Sequence, residues 1–184
     1  MTPSATLPTW PRKTGYVSKW FRKINRKLSG KPFWKQIAWF TFFMILPMTL
    51  LAMPFILLAE AVWEEGKDPD INNFFLIVIF APLIETLINQ YLPYKILNRW
   101  KYFRQRQALI ILMASVLFGL MHTYYPAYMV WAFFQGLVLS YVFYFYRRNL
   151  AVAFFATALV HALRNAFSFS MHQLGDVLCY FPAG

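Results

Sequence analysis

The chain has 184 residues, of which 59% are hydrophobic, 21% aromatic and only 14% charged, which is more apolar surface than one small soluble core can bury. Its formal net charge of +11 does not point to nucleic acid, because the Lys and Arg residues cluster beside the hydrophobic segments, where lipid headgroups are the simpler partner. A single cysteine, Cys179, excludes an intramolecular disulfide and a thiolate metal cluster.

Residues 1–15 carry Pro3, Pro8, Pro11 and Gly15 with little periodicity and read as a flexible end. From Val17, apolar positions Val17, Trp20, Phe21, Ile24 and Leu28 recur at helical spacing, with Lys19, Arg22, Lys23, Arg26 and Lys27 on the other side. This pattern predicts a basic amphipathic helix lying on anionic headgroups, within an N-terminal segment of residues 1–32. The transmembrane domain is then residues 33–184. No cleavable signal precedes it, so the first span is expected to remain in the mature protein.

Five spans are expected, making the chain an all-α polytopic helix bundle. The first, about Phe33 to Leu58, contains Pro47 and Pro54 and should kink. An acidic loop follows, with Glu60, Glu64, Glu65, Asp68 and Asp70 against Lys67. The second span, about Ile71 to Leu97, ends among Lys95, Arg99, Lys101, Arg104 and Arg106. The third runs about Gln105 to His122 and ends without a base, the fourth about Ala127 to Tyr146 and meets Arg147-Arg148, and the fifth about Asn149 to Met171. Basic and non-basic ends alternate, so the positive-inside rule predicts a cytoplasmic N-terminus and an outside C-terminus. The expected location is a bacterial cytoplasmic (inner) membrane.

Glu85 is the only acid inside the hydrophobic segments. A charge at the bilayer centre costs roughly 2.5 to 3.5 kcal/mol on insertion scales, so such a residue is a functional candidate by default. Measured from the cytoplasmic ends of their spans at about 1.5 Å per residue, Glu85 and His161 lie about 18 Å deep, Asn165 about 24 Å and His122 about 25 Å. Three spans therefore contribute polar side chains to one slab. His161 and Asn165 are four apart, as are Phe118 and His122, and Glu85 and Asn89, so each pair shares a helical face. His172, at the outer end of the last span, reads as interfacial.

Such a set supports hydrolysis. A carboxylate beside an imidazole suits a general base acting on water, with His122 as the helper. His161 and Asn165 are placed to donate hydrogen bonds to the oxyanion of an attacked peptide carbonyl. A Glu with two His is also a zinc ligand set. No cofactor is the preferred reading and zinc the lesser one, because the spacing is not the H-E-x-x-H of helical zinc hydrolases.

These motifs resemble those of the CAAX protease and bacteriocin-processing family, or Abi family, of intramembrane glutamate proteases. That family carries E-E-x-x-x-R, then F-x-x-x-H, then H-x-x-x-N. The second matches Phe118-Gly119-Leu120-Met121-His122 and the third His161-Ala162-Leu163-Arg164-Asn165. Gln135-Gly136-Leu137 and Tyr141 to Asn149 resemble the intervening helix and its turn, and the resemblance covers about residues 78 to 168. The first motif departs: within Ala81 to Gln90, Glu85 stands alone, with Thr86 for the second Glu and Gln90 for the Arg. The resemblance implies a metal-free intramembrane endopeptidase with Glu85 and His122 activating water and His161 and Asn165 stabilising the oxyanion. Its substrate is a peptide or membrane protein.

Around that site, Thr86, Asn89, Gln90, Phe118 and Arg164 are supporting residues. Thr86 and Gln90, four apart, are expected to replace an ion pair with a neutral hydrogen bond, and Arg164 either takes over the missing motif Arg or snorkels to the outer headgroups. The alternative function is an inactive membrane binding or bacteriocin-immunity protein that keeps the polar cluster, which the altered first motif favours. Proton-coupled transport through Glu85 is a weaker third reading, as no inverted repeat is evident.

Overall fold

Leu46 precedes Pro47, and that order of residues divides the first span. The pyrrolidine ring disfavours the helical region for the residue before it and removes a backbone donor. In a computed structural model, which describes residues 23, 25–62 and 73–180 and their side chains up to residue 174, helix α1 (Phe33–Ile45) ends at Leu46 with φ −102° and ψ −67°. Helix α2 (Pro47–Val62) continues across Pro54, and the two helices together form one apolar stretch, Phe33–Val62. The first residues, expected from the sequence to be a flexible end, most of the expected amphipathic helix, the acidic residues Glu64 to Asp70 and the Cys179 side chain lie outside what is described.

The second span, α3 (Leu76–Leu97), opens with Asn73 Oδ1 accepting the Leu76 N–H at 3.0 Å. It is not uniform. Leu76–Phe80 and Leu87–Tyr91 are π-helical turns, and the six α-helical residues Ala81–Thr86 lie between them. After a short helix, α4 (Lys101–Gln105), the chain breaks at Arg106 and forms α5 (Gln107–Leu120). Helix α6 (Pro126–Tyr146) starts on a proline, whose missing N–H would have no intrahelical partner there anyway. Helix α7 (Leu150–Tyr180) starts with Asn149 Oδ1 accepting the Val152 N–H at 3.2 Å.

The fold is the expected all-α polytopic bundle. Four helices are long and apolar enough to cross a membrane: Phe33–Val62, Leu76–Leu97, Pro126–Tyr146 and Leu150–Leu174. The third expected span is shorter than the others. Its 14 residues rise only about 21 Å, against a hydrocarbon core of about 30 Å, because the Arg106 break and the turn at Met121 to Tyr125 trim both ends.

Helix α6 is the central post, packed against α2, α5 and α7, and its buried face includes Ala132, Gln135, Gly136, Leu139 and Phe143. The α5–α6 crossing is close because it is built from small residues. A Cβ on Gly136 would stand 3.0 Å from the Phe118 Cβ and 3.1 Å from the Ser115 Cα; one on Gly119 would meet the Met129 carbonyl oxygen at 3.0 Å. The described end of the basic N-terminal segment is packed on the bundle: Leu28 and Asn25 are buried, and Asn25 Oδ1 accepts from the Tyr141 hydroxyl. Gln36 extends this attachment, donating to the Lys31 carbonyl at 2.7 Å and accepting from the Tyr146 hydroxyl.

Candidate active site

Helices α3 and α7 and the turn that follows α5 bring Glu85, His161 and His122 to a common point. Glu85 Oε2 lies 3.7 Å from His122 Nε2 and 3.7 Å from His161 Nε2. His161 is buried, whereas Glu85 and His122 are half-buried and face a cavity of about 550 Å³. The Phe118 ring packs on both imidazoles, with centroids 4.5 Å from His122 and 5.6 Å from His161. The end of α5 thus supplies the apolar wall, and the turn just after it the catalytic candidate that the wall holds.

The tautomer of His122 follows from its second contact. Nδ1 lies 2.7 Å from the Phe118 carbonyl oxygen, which can only accept, so the proton is on Nδ1. In the neutral ring Nε2 then presents a bare lone pair toward Glu85. A single proton between Glu85 and His122 makes that contact favourable, which is the state a water-activating pair reaches after taking a proton.

Asn165 reaches the site through a defect in α3. The Ala81 N–H bonds the Leu76 carbonyl across the π turn, and Pro82 has no N–H, so the Ile77 carbonyl is left to a side chain. Asn165 Nδ2 donates to it at 3.0 Å. The Asn165 Oδ1 accepts from Arg164 Nη1 at 3.1 Å. One amide hydrogen of Asn165 remains for another acceptor.

The supporting residues divide. Phe118 and Arg164 line the cavity with the four principal residues. Thr86, Asn89 and Gln90 are fully buried elsewhere, and Gln90 borders a separate pocket of about 10 Å³ with Tyr94, Gln107 and Ser140. The expected Thr86–Gln90 hydrogen bond is absent: the Thr86 hydroxyl and both Gln90 amide atoms have no partner among the described residues. The π turn over Leu87–Tyr91 accounts for this, since a wider turn takes residues four apart off a common face. Arg164 does not share a cavity with Gln90, the position of the motif Arg. It borders the large cavity, while Gln90 borders the small one.

Tyr128 and Trp131, with Gln135 one turn further on, also line the cavity, and neither aromatic was singled out from the sequence. Their spacing of three and four puts a polar-aromatic stripe on one face of α6, the signal that could have found them. The cavity extends from Glu85 to the bundle end that carries Glu60, Tyr124, Tyr125 and His172. Lys95, Arg99, Arg147 and Arg148 belong to the opposite end. Among the described residues, no three His, Cys, Asp or Glu side chains are arranged to hold a metal ion.

An acid and two imidazoles thus meet inside a bundle of helices long and apolar enough to cross a membrane, which defines a polytopic membrane protein with a buried polar centre. The chain belongs to the type II CAAX prenyl endopeptidase Rce1-like family, whose family model matches residues 68–167, just over half of its length. That membership makes it an integral membrane protein and a CAAX-type intramembrane protease. No match was found among curated proteins or solved structures.

Proposed function

We propose that the chain is a glutamate-type, metal-independent endopeptidase in which Glu85 and His122 activate water against a peptide carbonyl. The observation that carries this reading is the meeting of Glu85 Oε2 with the Nε2 atoms of His122 and His161, each at 3.7 Å, on the wall of one cavity. Glu85 takes a proton from water, and the hydroxide adds to the carbonyl carbon. A ring N–H of His161 and the second amide N–H of Asn165 hold the oxyanion, where loss of one donor typically costs about 100 to 1,000-fold in rate. Collapse of the intermediate breaks the C–N bond, and the proton held between Glu85 and His122 passes to the leaving amine.

The basic ends of the helices belong to the cytoplasmic face of a bacterial inner membrane by the positive-inside rule, with anionic headgroups against them. The cavity extends away from those ends, so peptide or membrane-protein substrate enters from the outer face. The neutral Thr86 and Gln90 lie off the reaction path and leave it intact.

The test is peptide release by the purified, detergent-solubilised protein from a library of membrane peptides, comparing wild type, Glu85→Gln and His161→Ala with and without a strong chelator. Cleavage lost in both variants and indifferent to chelator is expected. Cleavage abolished by chelator would move the site to zinc chemistry. Absence of cleavage by folded wild type would move the reading to a membrane binding or immunity protein.

A further inference from the structure

The cavity holds a second charged group that water activation does not use. Arg164 lies one residue before Asn165 on α7, and its guanidinium carbon stands 4.0 Å from the centroid of the Trp131 ring. It is partly buried, lines the cavity and gives one hydrogen bond, to Asn165. A guanidinium has five N–H donors in a planar fork that fits a carboxylate with two parallel bonds. No carboxylate among the described residues lies within ion-pair distance of it: Glu85 is engaged with the two histidines, and Glu60, at the far end of the cavity, forms no ion pair. A cation away from bulk water without an acid in contact is costly, and the field of Glu85 across the cavity offsets only part of that cost. Stacking on an indole face orients the fork and recovers part of that cost.

We infer that Arg164 on Trp131 is a carboxylate-binding subsite for the substrate peptide, and so a specificity determinant of the reaction proposed above, on which this inference rests. The carboxylate is either the free C-terminus of the peptide or an Asp or Glu side chain within it. Because Arg164 is bonded to Asn165, which holds the oxyanion, the anchor and the reacting carbonyl keep a fixed separation. Cleavage therefore falls at a constant offset from the carboxylate.

The experiment takes one cleavable peptide in four forms: free C-terminus, C-terminal amide, amide with one internal Glu, and the matching Gln peptide. KM, kcat and cleavage position are measured for wild type, Arg164→Gln and Arg164→Lys. Binding of fluorescent versions to the Glu85→Gln protein, with and without Arg164→Gln, is measured alongside. Wild type is expected to show a KM about 10 to 100-fold lower for one carboxylate form than for its neutral twin, as a charge-assisted bidentate pair implies. Moving the carboxylate should move the cut by the same number of residues. Arg164→Gln should remove the preference, and Arg164→Lys, which keeps the charge but loses the fork, should restore part of it. The free-terminus and Glu arms tell the two sources apart.

Equal KM values for charged and neutral peptides in wild type would overturn the subsite, and that comparison needs no variant to fold. So would an equal loss with all four peptides in Arg164→Gln, which marks a role confined to holding Asn165. If no form is cleaved, the hydrolytic reading fails while the binding arm still decides the subsite: a preference for carboxylate lost in Arg164→Gln supports it, and equal binding overturns it.

Discussion

The two sides of α3 around Glu85 are built on opposite principles. Toward α7 and the His122 end of α5, Glu85 opens on a cavity of about 550 Å³ lined by His122, His161, Arg164 and Asn165. On its other side Thr86, Asn89 and Gln90 are buried, and Gln90 borders a gap of only about 10 Å³. The first arrangement leaves room for reactants; the second leaves room for about one water. This difference explains how the E-E-x-x-x-R pattern can lose its second acid and its base together. Both lie on the packed side, where a neutral pair avoids the desolvation of a buried ion pair.

Four substitutions would break or sharpen that contrast. Glu85→Gln keeps the shape but removes the base, and peptide cleavage should fall by about 100 to 10,000-fold with an unchanged melting temperature in detergent. His161→Ala should cost about 100 to 1,000-fold in kcat with a smaller change in KM, read from initial rates. Gly136→Val forces α5 from α6 at a site where even a Cβ meets neighbours at 3.0 Å; about 1 to 3 kcal/mol of stability should be lost, seen as a lower melting temperature. Gln90→Leu removes an amide with no partner among the described residues, so the protein should melt higher by the equivalent of about 1 kcal/mol and keep its cleavage rate. Loss of cleavage in Gln90→Leu with an intact fold would show that the packed side takes part in the chemistry.

Hydropathy and charge alternation made the bundle legible, because bilayer thickness and headgroup charge act on composition directly. Depth counting made the site legible for the same reason: Glu85, His122 and His161 are rare residue types in apolar segments, and a rise of about 1.5 Å per residue places them at similar levels. The α5 helix was expected to be longer because its apolar run conceals the break at Arg106, which is a backbone event. The π turns of α3 were hidden as well. They change the angle between residues and leave composition alone, and so the expected Thr86–Gln90 bond was drawn on a helix that is not there. Arg164 was visible as an isolated base, but its partner Trp131 lies on another helix, and only the fold brings them together.

The paired π turns bear on how this helix tolerates insertion and deletion. A π turn holds one residue beyond what an α-helix needs, so deleting one residue within Leu76–Phe80 would return that turn to α geometry while the segments on either side keep nearly the same faces. The same holds on the other side for Leu87–Tyr91. Glu85 therefore occupies a short α-helical cassette between two turns that have each absorbed one extra residue. The α-helical residues Ala81–Thr86 have no such slack: losing one of them would swing one flank about 100° relative to the other.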